Sequence, residues 1–214
     1  EYDLARRFAQ ELGVKLAVVP VFSLDGLFTA LRRGEADIAG AGLTLTPERA
    51  AAFPASTAYH QQRPQVIYRT GSARPRGIAD LEGLEVVVLA GSSHDRLLAR
   101  REAEDPRGLR VRRVDGADPL DLLRQVDRGN ADAAVVDSVE FAIQRHLLPQ
   151  LAVAFDLATE QDMVWYLAPG SKNDALLERL DEFFERLERG GTLAALREAH
   201  FGQVNALTRA GSQT

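Results

Sequence analysis

Cysteine is absent from the 214 residues, which excludes disulfides, thiolate metal sites and a cysteine nucleophile but leaves the redox compartment open. Long apolar runs are absent too: none approaches the roughly 18 residues of a membrane span, and no signal peptide is present. A basic excess is also missing, since 26 Lys and Arg stand against 31 Asp and Glu, for a formal net charge of -5. Phosphate-tracking surfaces need such an excess, so the balance argues against a nucleic-acid partner. The cluster Arg110-Val111-Arg112-Arg113 then reads as a solvated face. His60, His94, His146 and His200 are scattered without ligand spacing, so no metal or other cofactor is expected. No initiator methionine precedes Glu1-Tyr2-Asp3-Leu4, and the expected origin is a piece of a longer protein.

With 45% hydrophobic residues, the chain can bury a sizeable core in one large domain or two small lobes. A repeated phrase favours two. Arg33-Gly34-Glu35-Ala36-Asp37-Ile38-Ala39 returns about 95 residues later as Arg128-Gly129-Asn130-Ala131-Asp132-Ala133-Ala134. Each copy follows a leucine-bearing amphipathic stretch and precedes an apolar run. Glycine takes the left-handed conformation that ends a helix without a Cβ penalty, and the apolar run reads as a buried strand.

In the first lobe, Leu4, Ala5, Phe8, Ala9 and Leu12 predict a helix closed by Gly13. Val14 to Val19 predicts a strand, Ser23 caps a helix bearing Leu24, Leu27, Phe28 and Leu31, and Ala36 to Ala39 is the next strand. Gly40-Ala41-Gly42 reads as a tight turn. Thr46-Pro47-Glu48 then supplies an N-cap, a proline at N1 and an acidic first turn. Gln65 to Tyr68 is a further strand, and the linker-like stretch from Gly71 to Gly77 marks a lobe boundary.

The second lobe predicts strands at Glu85 to Ala90, Leu109 to Val114 and Ala133 to Val136. Its helices run from Gly91-Ser92-Ser93 to near Asp105-Pro106 and from Asp118-Pro119 through Val126. Met163 to Leu167 reads as a strand returning to the first lobe, followed by two helices with stripes at Leu176 to Leu187 and Leu193 to Phe201. The expected fold is therefore α/β, with mixed sheets flanked by helices, two hinge crossovers and a cleft as the place for function. The expected spans are 1–70 for lobe 1, 71–162 for lobe 2, 163–202 for the return to lobe 1, and 203–214 for a linker.

Three stations carry chemistry. Arg49 sits in a first helical turn, where the macrodipole disfavours a cation, so a bound anion would explain it. A carboxylate suits a guanidinium fork, with the Thr44 hydroxyl as a further donor. The alternative is a solvent-facing arginine paired with Glu48. Ser92 and Ser93, where a strand passes into a helix, offer hydroxyl and backbone donors to the same anion; the alternative is a plain serine N-cap. Asp137 ends a strand and could receive an ammonium group, with the Gly42 carbonyl as a neutral acceptor. Its alternative is the N-cap of the helix from Ser138. The three describe a cage for a zwitterion. A Ser-His-Asp triad through His94 is set aside, because adjacent helical residues point apart. Trp165 and Tyr166 read as lining of hinge or pocket, or as core.

These motifs resemble, in order and spacing, the type II periplasmic solute-binding proteins (solute-binding family 3-like) that include amino-acid receptors. By that resemblance, Thr44, Arg49, Ser92 and Ser93 would hold the ligand carboxylate, and the Gly42 carbonyl and Asp137 its α-amino group. Details at Glu1-Tyr2-Asp3-Leu4-Ala5, Ala90-Gly91-Ser92-Ser93-His94, Asp137-Ser138-Val139, Leu151 to Asp156 and Val164-Trp165-Tyr166 look like the receptor-like N-terminal module of the membrane-bound lytic murein transglycosylase F family. The resemblance covers nearly the whole chain. It implies a non-catalytic regulatory module that senses an amino acid or a muropeptide-derived peptide. Its further partners would be a C-terminal catalytic module of the same protein and, through that module, peptidoglycan. The implied location is the periplasm, with the parent attached to the outer membrane. The family module opens with a strand and loop that have no counterpart before Glu1, and its catalytic glutamate has none either, so no catalytic residue is assigned. The alternative is a free-standing periplasmic amino-acid receptor of an ABC transporter, and a third, less favoured, is an independent hydrolase.

Overall fold

The computed structural model describes residues 1–104, 108–170 and 173–201. The helix end expected near Asp105-Pro106 and the linker expected at 203–214 lie outside them. In chain order the first elements are α1 (Tyr2–Leu12), α2 (Leu24–Arg33), β1 (Ile38–Thr44), α3 (Pro47–Ala50), β2 (His60–Gln62) and β3 (Pro64–Arg69). There follow β4 (Glu85–Leu89), α4 (Ser93–Glu104), β5 (Arg110–Val114), α5 (Pro119–Asp127), β6 (Ala133–Asp137), α6 (Ser138–Gln144) and β7 (Leu151–Asp156). The last are β8 (Gln161–Leu167), α7 (Asp174–Arg189) and α8 (Thr192–Phe201).

The repeated phrase forms the same helix stop twice. Gly34 (φ 68°) and Gly129 (φ 73°) are both left-handed. Gly34 N–H donates to the Leu31 carbonyl and Glu35 N–H to that of Ala30, while Gly129 N–H donates to Val126 and Asn130 N–H to Gln125. These offsets are identical, and they satisfy the carbonyls a helix end leaves open. From each stop the chain enters a strand, β1 or β6.

Two compact units result, one from Glu1–Gln61 with Gln161–Arg197 and one built on Gln62–Glu160. In the first, strands run in the order β1-β8-β2, with β1 antiparallel to β8. Side chains alternate across β8. Met163, Trp165 and Leu167 pack with Leu4, Phe8, Leu180, Phe183 and Phe184. Val164 and Tyr166 pack with Leu31, Leu43 and Phe53 on the other side. Burying each such side chain contributes roughly 1.5–3 kcal/mol, which is why the amphipathic helices lie on this sheet.

The second unit has a five-stranded sheet in the order β5-β4-β6-β3-β7. Strand β4 is parallel to β5 and β6, and β3 is antiparallel to β6 and β7, so the sheet is mixed. Both faces are covered. Ile67, Val87, Ala134 and Val136 join Leu122, Leu123 and Val126 of α5 in one cluster, while Val66, Val86, Val88, Ala133 and Val135 join Leu98 of α4 in another.

Three expectations change. Val14 to Val19 is not a strand: it has no regular secondary structure, and Val14, Val18 and Val19 are exposed. A β-favourable composition makes a strand only where a neighbour completes the ladder. Gly40-Ala41-Gly42 is not a turn between elements but a bulge within β1, where the register with β8 shifts between Ala39 and Leu43. The boundary also moves. Residues 65–68, expected in the first lobe, lie in β3 and pair with β6 and β7, so the units divide after Gln61 and Glu160. The glycine and proline content of 71–77 marks a local irregular stretch, whereas long-range strand pairing decides membership of a unit.

Candidate functional site

The β1 bulge begins the first unit's set of residues. Gly40 passes under the Trp165 indole, where an added Cβ would lie 2.7 Å from Nε1. Gly42 is left-handed at φ 63°, a conformation that costs other L-residues roughly 1–2 kcal/mol. Its N–H donates to Glu1 Oε1 at 3.1 Å. The same carboxylate accepts from Trp165 Nε1 at 2.8 Å and from the Tyr59 hydroxyl. With its N–H oriented toward Glu1, the bulge presents Gly42 at an exposed position.

After the bulge the strand returns to the core and turns into α3. Thr46 caps that helix as expected, its Oγ1 accepting from Arg49 N–H at 3.3 Å. The Tyr166 hydroxyl spans the corner, donating to the Thr44 carbonyl at 3.0 Å and accepting from Thr46 N–H at 3.2 Å. Arg49 is only 4% exposed, which overturns the solvent-facing alternative. Its Nη1 donates to the Thr44 carbonyl at 3.1 Å, and its guanidinium lies 4.9 Å from the Phe28 ring centroid. The guanidinium thus meets both a backbone carbonyl and an aromatic face, contacts that suit its planar, delocalised charge. Thr44 is buried beside it, with Oγ1 3.9 Å from Met163 Sδ.

In the second unit, β4 ends and Gly91, left-handed at φ 72°, turns the chain into α4. Ser92 acts as the helix cap: its Oγ accepts from Asp95 N–H at 3.1 Å. Gly91 N–H donates to Asp95 Oδ2 at 3.0 Å. Ser93, the first helical residue, is buried. Asp137 ends β6 and caps α6 in a capping box with Glu140, whose Oε2 accepts from Asp137 N–H at 3.2 Å. Both proposed cap roles, at Ser92 and Asp137, are thus filled by the same side chains that the chemistry singles out.

Sequence reasoning missed the partner of Asp137. His94 Nε2 lies 3.1 Å from Asp137 Oδ1, and both residues are 6% exposed. His94 was dismissed because it cannot face Ser93, its chain neighbour; its true partner is 43 residues away. Adjacent Glu140 is half-buried. Burial, together with the Asp137 carboxylate, pushes the Glu140 carboxyl up to about 7, with His94 acting in the opposite direction. Glu1 and Phe28 carry no local signal that marks them for the site, whereas Tyr166, which reads from sequence as lining or core, is fully buried and braces the Thr44–Thr46 corner. Among the described residues, no group of His, Asp and Glu is placed to hold a metal ion, and no helix is long and apolar enough to cross a membrane.

Each unit carries its own share of the expected residues: Gly42, Thr44 and Arg49 in one, Ser92, Ser93 and Asp137 in the other. A family model described as bacterial extracellular solute-binding proteins, family 3, matches residues 1–203. A membrane-bound lytic murein transglycosylase F from Pseudomonas savastanoi pv. phaseolicola is 39% identical over 215 aligned positions, covering 100% of this chain and 43% of that protein. The chain therefore spans less than half of that relative's length. Among solved structures, a mutant of ArgBP from T. maritima matches with a TM-score of 0.84 and 27% identity, covering 94% of this chain and 83% of that one. An ancestral arginine-binding protein bound to arginine matches with a TM-score of 0.84 and 25% identity, covering 94% and 86%.

Proposed function

Because the chain belongs to the bacterial extracellular solute-binding proteins, family 3, and has the fold of type II periplasmic amino-acid-binding proteins, we propose that it binds a small zwitterion, an amino acid or a muropeptide-derived peptide. The ligand carboxylate is assigned to Arg49 with Thr44, Ser92 and Ser93, and the α-amino group to Asp137 with the Gly42 carbonyl. The observation that carries this reading is the pair of buried, oppositely charged side chains, Arg49 in the short helix α3 that follows β1 and Asp137 at the end of β6, where the family resemblance expects ligand contacts.

In this reading the chain is a non-catalytic, periplasmic sensing module of a longer peptidoglycan-cleaving transglycosylase, its parent attached to the outer membrane, and ligand binding biases that parent's activity. Support comes from the name of the curated relative and from the 43% of its length that this chain matches. Titration calorimetry of this chain against the common L-amino acids and a muropeptide-derived peptide tests the binding step. At least one ligand is expected to bind, and Arg49→Ala is expected to weaken it by 10-fold or more, about 1.4 kcal/mol or above. No binding by any member, or undiminished binding by the variant, overturns the assignment.

A further inference from the structure

Asp137, the carboxylate assigned to the ligand's ammonium group, is already engaged inside its own unit. One oxygen faces His94 Nε2 at 3.1 Å, and its backbone N–H is held by Glu140 at 3.2 Å. A carboxylate has about four lone-pair sites, so the imidazole leaves capacity for a further donor. Three ionisable side chains from α4, β6 and α6 therefore meet in one water-poor spot, where charges interact strongly.

Asp118, at the head of α5, adds a negative field at Glu140. Asp95 on α4 is turned toward Gly91 N–H and Arg113. Arg63, next to β3, pairs with Asp156 and Glu160. The His94 ring touches the Asp137 carboxylate, and the Glu140 carboxyl feels the charge of both, so the protons of the imidazole and of Glu140 are not held independently.

We infer that His94 and Glu140, both set against the Asp137 carboxylate, act as one proton-sharing unit, and that docking a cationic amino group on Asp137 expels a proton from it. The inference deepens the binding assignment above and rests on Asp137 as the ammonium receiver. The sign follows from Coulomb's law. An arriving positive charge opposes a protonated imidazole and favours an ionised Glu140, so both residues respond by losing a proton. Acidification refills the unit and makes the ligand compete. Affinity is expected to fall by up to about tenfold per pH unit below neutrality and to level off above it.

Two measurements separate this inference from the binding assignment. The first is calorimetry at pH 7 in phosphate and in Tris, whose ionisation heats differ, with whichever common L-amino acid binds. The expected apparent heats differ between buffers by a proton release of up to one, and the difference shrinks in Glu140→Gln. Equal heats in both buffers overturn the inference and leave the binding assignment standing. The second needs no ligand: NMR of the His94 ring nitrogens and the Glu140 carboxyl carbon across pH 5–9. The two signals are expected to share a step near neutrality, and Glu140→Gln is expected to remove that step from His94. Separate midpoints in the wild-type protein overturn the inference whether or not any amino acid binds, while absence of binding alone overturns only the assignment.

Discussion

Glu140 pays for its place in the capping box, because its carboxyl is held near 7 by burial and by Asp137, whereas an unfolded glutamate titrates near ~4.3. Between those values the folded chain keeps a proton that the unfolded chain has released. Stability from this group is therefore highest at low pH, falls as pH rises through that window, and stays reduced above it. Glutamine keeps an oxygen for the Asp137 N–H and carries no charge. Glu140→Gln is expected to raise unfolding stability at pH 8 by on the order of 1–3 kcal/mol, with little gain near pH 4.5; urea denaturation at the two pH values measures it. An equal gain at both would disprove the charge argument. At this scale, the chain showed which side chains could act but not which ones meet. Asp137 and Ser92 are legible because cap positions follow local spacing. His94 beside Asp137 is not, since that contact depends on how α4 is laid against the end of β6.

The bulge in β1 is the element on which the first unit's set depends. Its two glycines serve different ends: Gly42 takes the left-handed conformation, and Gly40 leaves room for the Trp165 indole. Gly40→Ala would put a methyl 2.7 Å from indole atoms, in a cluster with no slack. The expected loss is about 1–3 kcal/mol, with a shift in the emission of Trp165, the sole tryptophan; an unchanged denaturation midpoint would contradict the close fit. Helices were the most legible elements, because α1, α2, α5 and α7 each carry an apolar stripe with a recognisable stop. Strands were legible where buried on both faces, as in β4 and β6. The three-residue β2 is too short to show a period, and Val14 to Val19 has the composition of a strand without a paired neighbour. The bulge itself could be seen only as glycine content, since a turn and a bulge make the same demand on φ.

At the scale of the molecule, the two units differ in how the chain supplies them. The second takes all five strands of its sheet, and the clusters on both faces, from one continuous stretch, Gln62–Glu160. The first is split: β1 needs β8 as its antiparallel neighbour, and Phe8 needs Phe183 and Phe184. Residues 62–160 expressed alone are expected to fold, with a cooperative urea transition by circular dichroism, whereas residues 1–61 alone are not. Non-cooperative unfolding of 62–160 would contradict the separate core. On a ribosome, the same split sets an order of events. The β1 segment emerges early but must wait roughly 100 residues for β8, about 5–20 s at ordinary synthesis rates. During that interval the second unit can complete its sheet first, so β1 is paired later than strands made after it.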